Sequence, residues 1–387
     1  MHTLRSEPFL LNREWSSRQI AEQARLRLAK LRPDVLELHD ALFHDGVENS
    51  DLWAIMTPEE KEGILRIPVI AIPIQEFNTC IAEAPAGDGQ FIVFDTCIFK
   101  ELVDLLSAVP TQGLPAWTSC VLQGALRKVS WTESPAFWTE AAIREVKAYE
   151  WPKPDHGVVY TRFSSLLIGL RFCVMFILAH EFAHQKLNHL AGDLSVVLRE
   201  LGGIVVTAHQ KHHAREFEAD AWALKVLTRV PVGYFATWLL CIEAMFWYLN
   251  SIELFNAECQ RIKGATSLPS DHPDAWERGR RISELSADFI ETTTQGNLDE
   301  SLYKSLKARK TLFEWWKKAN GLMIPLLAEC YWNDPERTVG IHDAFRDGSL
   351  GVDEYKAEMR SIETKHKITS TWYGLRRTVR RVKSKLF

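Results

Sequence analysis

His180-Glu181-Phe182-Ala183-His184 stands inside a run, Leu170 to Leu190, that contains no glycine or proline. That run predicts one uninterrupted helix through the pentapeptide, with Leu178, Ala179, Phe182 and Ala183 as apolar or small flanks. On a helix of 3.6 residues per turn, positions four apart lie about 40° apart, so both imidazoles can reach one ion. Glu181 is displaced by about 100° from His180, beside such an ion rather than on it. A carboxylate there can take a proton from a water that the metal has acidified, which is the logic of an HExxH zinc hydrolase.

A catalytic zinc site takes three protein ligands and leaves the fourth position open, so a third ligand must come from elsewhere. Gln185-Lys186-Leu187-Asn188-His189 invites comparison with the pattern HExxHxxGxxH. It carries Leu187 where that pattern turns at glycine and Leu190 where it places the third histidine. On a continued helix His189 lies about 180° from His180 and faces away from the ion, as a structural residue. Further along, Arg215-Glu216-Phe217-Glu218-Ala219-Asp220 offers Glu216 and Asp220 four residues apart on one helix face. Ala219, Ala221 and Ala223 beside them permit close packing of a second helix. Glu216 is therefore the expected third ligand. Asp220 is expected to accept the second ring N–H of a ligand histidine and so fix its tautomer. His209, His212 and His213 precede Glu216 on the same expected helix and read as packed or solvated.

The chain has 387 residues, 46% hydrophobic and 25% charged, which excludes wholesale disorder and allows one large or two to three ordinary domains. A net charge of −4 gives no overall bias toward nucleic acid. Seven scattered cysteines without CxxC spacing argue against a disulfide framework and for a reducing, cytoplasmic compartment. No apolar leader follows Met1. Two apolar runs approach membrane-span length, Phe163–Ala179 and Val232–Leu249. Arg171 interrupts the first and Glu243 sits mid-way along the second, so both read as buried helices and no transmembrane segment is expected.

Residues 1–66 read as a helical lead-in, with Thr57-Pro58 as a helix start. Short β-branched runs follow at Ile67–Ile74, Phe77–Ala82 and Gln90–Phe94, then a helical pattern at Ile98–Leu106. Residues 107–160 read as an irregular, proline- and tryptophan-rich insertion, with a helix within Glu140–Tyr149. Helices are expected at about 163–190, 210–228 and 232–257, and beyond a polar break near 292–297 at 300–330 and 352–365. The expected fold is α+β and zincin-like, mostly helical, with a small mixed sheet ahead of the HExxH helix. Its domains are the lead-in, a catalytic domain over 67–290, a helical extension over 291–364 and a basic tail over 365–387. The tail holds eight Lys/Arg and no acid. Leu375, Val379, Val382 and Leu386 share one helical face in it, a pattern suited either to the protein's own acidic surface or to an anionic membrane or nucleic acid.

HExxH followed by Glu216-x-x-x-Asp220, with Asn78-Thr79-Cys80-Ile81-Ala82 ahead and His272-Pro273 and Arg278 behind, resembles the gluzincin peptidases. The order matches the core of the CAAX prenyl protease family across roughly residues 70–285. That family's membrane helices are absent, positions 79 and 80 depart from its Asn-Ala-x-Ala signature, and soluble phage-exclusion peptidases of the Lit type are similar in layout. The resemblance implies a zinc metalloendopeptidase acting on a protein or peptide, with a narrowly specific phage-defence or stress-response protease as one variant. It implies that residues 78–82 form an edge strand pairing with the substrate, and that His272 or Arg278 stabilises the oxyanion. A metal-stabilised binding or regulatory module that cleaves nothing is the rival reading, and it has no need of Glu181.

Overall fold

In the computed structural model, the three β-branched runs form β1 (Val69–Ile72), β2 (Cys80–Glu83) and β3 (Gln90–Asp95). The structure describes residues 16–31, 51–62, 67–72, 79–83, 90–95, 114–127, 162–189, 196–201, 204–209, 213–229, 232–264, 275–294, 300–346, 348–351, 353–355, 357–358 and 361. Asn78, His272, the segments Ile98–Leu106 and Glu140–Tyr149, and the basic tail lie outside these residues.

Phe91, Ile92, Val93 and Phe94 of β3 are all at most 1% exposed. A strand covered on both faces reads as a continuous apolar run, which is why Gln90–Phe94 does not alternate. Two strands that the sequence reading did not anticipate, β4 (Val196–Leu201) and β5 (Ile204–His209), extend the sheet to the order β1-β3-β2-β5-β4. β1 and β3 are parallel and the other pairs antiparallel. The sheet is mixed as expected, but two of its strands follow the HExxH helix instead of preceding it. β2 is also not an edge strand: Ala82 and Glu83 pair with Ala208 and Thr207 of β5. His209 closes β5 and does not belong to the next helix.

Helices make up most of the remainder, so the class is α+β and mostly helical. The lead-in gives α1 (Ser17–Leu31), α2 (Asp51–Ile55) and α3 (Pro58–Glu62). Each of the outer two opens on a reciprocal cap. Ser16 and Gln19 exchange bonds ahead of α1, and Thr57 and Glu60 do so ahead of α3, with Pro58 at the first helical position as the Thr57-Pro58 pair predicts. The long helix through the pentapeptide is α5 (Arg162–Lys186), preceded by α4 (Leu114–Arg127). Then come α6 (His213–Leu227), α7 (Val232–Lys263), α8 (Ala275–Thr294) and α9 (Glu300–Lys318). A π-turn at Ala319–Met323 leads into α10 (Ile324–Asn333) and α11 (Pro335–Arg346). Over 114–127 the supposed irregular insertion is thus helical. Pro115 occupies the second position of α4, where a backbone N–H has no intrahelical acceptor to lose. Among the described residues no helix is long and apolar enough to cross a membrane.

The chain divides into two units: 1–107 with 127–249 and 269–312, and 108–126 with 250–268 and 313–387. In the first, Ile20 of α1, Leu52 of α2, Ile92 of β3, Phe176 and Phe182 of α5, Leu224 of α6, Phe246 of α7 and Ile282 of α8 belong to one buried core. The lead-in is therefore part of that unit and not a separate domain, and Glu60 of α3 pairs with Arg229 just beyond α6. In the second unit, Trp117 Nε1 of α4 donates to Ser251 Oγ at 3.2 Å, and Ser251 Oγ donates to Asn320 Oδ1 at 2.6 Å. Part of the expected insertion and part of the expected C-terminal extension thus share one core.

Candidate metal centre

α5 and α6 pack along each other, and the small buried residues Ala179, Ala183, Ala219 and Ala223 allow the approach. α5 contributes His180 and His184 to the contact, one turn apart. α6 contributes Glu216, fully buried in its first turn, and Asp220 one turn later. His180 Nε2 lies 3.1 Å from His184 Nε2. Glu216 Oε2 lies 3.3 Å from His180 Nε2, and Glu216 Oε1 lies 3.3 Å from His184 Nε2. These three side chains form the one group of metal-ligand donors found among the described residues.

The triangle can be tested against an ion. Nitrogen and oxygen ligands about 2.0–2.1 Å from one tetrahedral centre stand about 3.3–3.4 Å from each other. The 3.1 Å between the two Nε2 atoms is close to one edge of such a tetrahedron, and each oxygen of Glu216 stands 3.3 Å from one of them, so the carboxylate faces both nitrogens at once. The donor set, two imidazoles and a carboxylate, suits a divalent transition metal. The side chains present therefore fit a metal ion at this position.

The outer nitrogens are held as well. His180 Nδ1 lies 2.9 Å from Asp220 Oδ1, so its proton sits on Nδ1 and its Nε2 lone pair faces the triangle. Arg278 of α8 grips the same carboxylate with two bonds, Nε to Oδ2 at 2.8 Å and Nη2 to Oδ1 at 2.6 Å. Its position depends on Gly279: a Cβ there would stand 3.1 Å from Phe246 Cβ, so glycine lets α8 close onto α7 and brings the Arg278 guanidinium over the Phe246 ring. Burial alone would raise the Asp220 carboxyl, but Arg278 outweighs it and holds the group below the usual carboxylate range. Burial disfavours a charged His180, yet Glu216 and Asp220 outweigh that and raise its pKa. His184 goes the other way, pushed down to about 4 chiefly by burial.

Glu181 is 2% exposed and stands next to the triangle on α5. The backbone N–H of Ile81 in β2 donates to its Oε2 at 3.1 Å. The 78–82 segment thus reaches the site through a main-chain bond to the expected base, a contact the sequence reading did not foresee. Thr79, Ile81 and Ala82 are buried, so this stretch is no exposed sheet edge.

His189 is the largest departure. It does not continue α5 and does not face away. Asn188 adopts φ +56°, in the left-handed region that asparagine tolerates better than most residues, and the chain folds back there. The His189 N–H donates to His184 O at 2.7 Å, and its Nδ1 comes within 3.1 Å of His184 Nδ1. Its Nε2 lies 3.0 Å from Glu218 Oε2. Asn188 was the one visible signal: an asparagine just past the last helical turn. His213 opens α6 and lies outside the triangle.

Protein-family profiles, curated proteins and solved structures were all compared with this chain, and none matches it.

Proposed function

We propose that the chain is a zinc-dependent metalloendopeptidase with a zincin-like catalytic domain. The observation that carries this reading is Glu181, a buried carboxylate next to His180 on α5, beside a His180–His184–Glu216 group whose donor atoms lie close enough to share one ion. Two histidines, one carboxylate and an open fourth position are the ligand chemistry of a hydrolytic zinc site. His180, His184 and Glu216 would hold the ion, and the chemistry it would supply there is that of a Lewis acid toward water and the scissile carbonyl. Glu181 would take a proton from the attacking water as its oxygen bonds to the carbonyl carbon, and would hand it to the amine nitrogen as the C–N bond breaks. The Ile81 N–H steadies one carboxylate oxygen of Glu181. Asp220, braced by Arg278, keeps the proton of His180 on Nδ1 and away from the ligand nitrogen. A purely metal-stabilised binding module would have no use for Glu181.

Elemental analysis of the purified protein, paired with digestion of candidate protein substrates, tests this. The wild type is expected to hold one zinc per chain, and Glu181→Gln to keep the zinc and lose hydrolysis. Wild-type cleavage by Glu181→Gln, or a wild type that binds no zinc, overturns the reading.

A further inference from the structure

His184 has a second partner beyond the triangle, and its chemistry follows from counting protons. Two ring nitrogens 3.1 Å apart, His184 Nδ1 and His189 Nδ1, share a single proton. Either His184 donates or His189 does. At the far side of the His189 ring, Nε2 lies 3.0 Å from a carboxylate oxygen of Glu218. A carboxylate only accepts, so Nε2 must carry the hydrogen, and in a neutral ring Nδ1 then holds the lone pair. Glu218 thereby selects the arrangement in which His184 Nδ1–H is the donor. That leaves the lone pair of His184 on Nε2, the atom that faces His180 and Glu216.

We infer that His189 is a positioning residue of the metal centre: it accepts the Nδ1–H of His184, fixes that ring's tautomer and turn, and is itself set by Glu218. The inference rests on the metal-centre reading and extends it to a residue that touches no ligand position. The backbone supports it independently. The fold-back at Asn188 returns the chain to His184, and Arg215 Nη1 donates to His189 O at 2.6 Å, so the residue is held from both sides. α6 serves both histidines of α5 at once. Glu216 and Asp220 lie one turn apart and reach His180, while Arg215 and Glu218, three apart on the adjoining face, hold His189. The two metal-binding imidazoles are thus oriented by different means, one by a carboxylate directly and one through an intervening imidazole.

Zinc affinity, measured by competition with a chromophoric chelator, separates this role from packing. His189→Phe keeps a ring of similar size but no acceptor, and is expected to weaken zinc binding roughly 10–100-fold. His189→Asn is smaller but places an amide oxygen near the Nδ1 position, and is expected to recover affinity to within about three-fold of wild type. A residue that only fills space gives the opposite order. Phe equal to wild type, or Asn no better than Phe, overturns the inference. Nitrogen-15 NMR of the histidine rings supplies a readout independent of folding losses: the zinc-loaded wild type should show a protonated Nδ1 on His184, and its absence overturns the relay. His180→Ala is measured alongside. If it loses zinc while His189→Phe does not, the relay alone falls; if the wild type binds no zinc, the metal centre falls and the relay with it.

Discussion

Arg278 shows how one side chain can be assigned by what it touches. The resemblance that led to it implies an oxyanion role, whereas its Nε and Nη2 both donate to Asp220 and only Nη1 faces Glu216, at 3.7 Å. A guanidinium committed to a buried carboxylate acts through that carboxylate. Arg278→Ala would leave Asp220 buried against His180 alone, and zinc affinity is expected to fall about ten-fold, in the range for outer partners of metal ligands. Arg278→Lys keeps the charge but not the two-pronged grip, and should fall between the two. Chelator competition measures both. Full zinc occupancy with lost turnover in Arg278→Ala would instead favour the oxyanion role. Which of these contacts the sequence discloses follows from their separation. His180 and His184, and likewise Glu216 and Asp220, are legible because helical spacing alone fixes their shared face, and the same spacing sets Glu181 beside the first pair. The Ile81–Glu181 bond joins residues 100 apart, and no local pattern encodes it. His189 is misplaced from sequence for a narrower reason: extrapolating the helix ignores a single positive φ at Asn188.

Among the elements, α7 has the most ambiguous sequence, an apolar run long enough to raise the question of a membrane. Its central acid, Glu243, is fully buried and accepts from Ser283 Oγ of α8 and Arg309 Nε of α9, each at 2.6 Å. Protein covers this stretch of α7 and supplies the partners that a lone carboxylate would lack. Burial raises the Glu243 pKa despite Arg309. The stability attached to a raised carboxyl is fully present below its unfolded pKa and is lost as pH climbs through the raised folded value. Arg309→Ala removes the cation, raises that value further and leaves an uncompensated buried charge, so it should destabilise by about 3 kcal/mol at neutral pH. The deficit should shrink as pH falls toward the ordinary carboxylate range, where the side chain can fold protonated. Replacing Glu243 and Arg309 together by leucine should cost far less than Arg309→Ala alone. Urea titrations across that pH range test both statements, and a pH-independent deficit would contradict the first. The strands ahead of α5 are legible from their β-branched runs. β4 and β5 also carry such runs, on either side of Gly202-Gly203, a dipeptide of the kind that joins hairpins, so a strand signal is present in the stretch between the helices expected at about 163–190 and 210–228. α4 escapes notice because the prolines of 107–160, Pro115 among them, suggest a loop, although a proline at the second helical position is harmless.

At the scale of the whole molecule, each unit holds a buried group whose charged form burial disfavours, Glu243 in one and His342 in the other, and acid acts on these two groups in opposite senses. In the first, Glu243 folds more readily when protonated. In the second, His342 of α11 is 1% exposed, and burial pushes its pKa down to about 3. Its Nδ1 stands 3.4 Å from Tyr355 Oη, and its Nε2 has no hydrogen-bond partner among the described residues. Phe345 and Tyr355 pack beside it as a tilted ring pair and form a small core with Met323, Ile341 and Leu350 around them. Among the described residues nothing supplies a counter-ion, so a proton on that imidazole would be a buried, unpaired charge. For a base whose folded pKa is depressed, the associated stability is complete above the unfolded value near 6.5 and is lost as pH falls toward the folded value. Between about pH 7.5 and about pH 5 the loss from His342 should be about 2 kcal/mol. His342→Phe keeps a ring against Tyr355 and cannot be charged, so it should remove most of that slope while leaving the first unit's response unchanged. Hydrogen exchange followed by mass spectrometry, at matched chemical exchange, resolves the units by peptide. In the wild type, protection over α10 and α11 should weaken on acidification, and in His342→Phe it should hold. Equal weakening in both proteins would remove His342 as the cause.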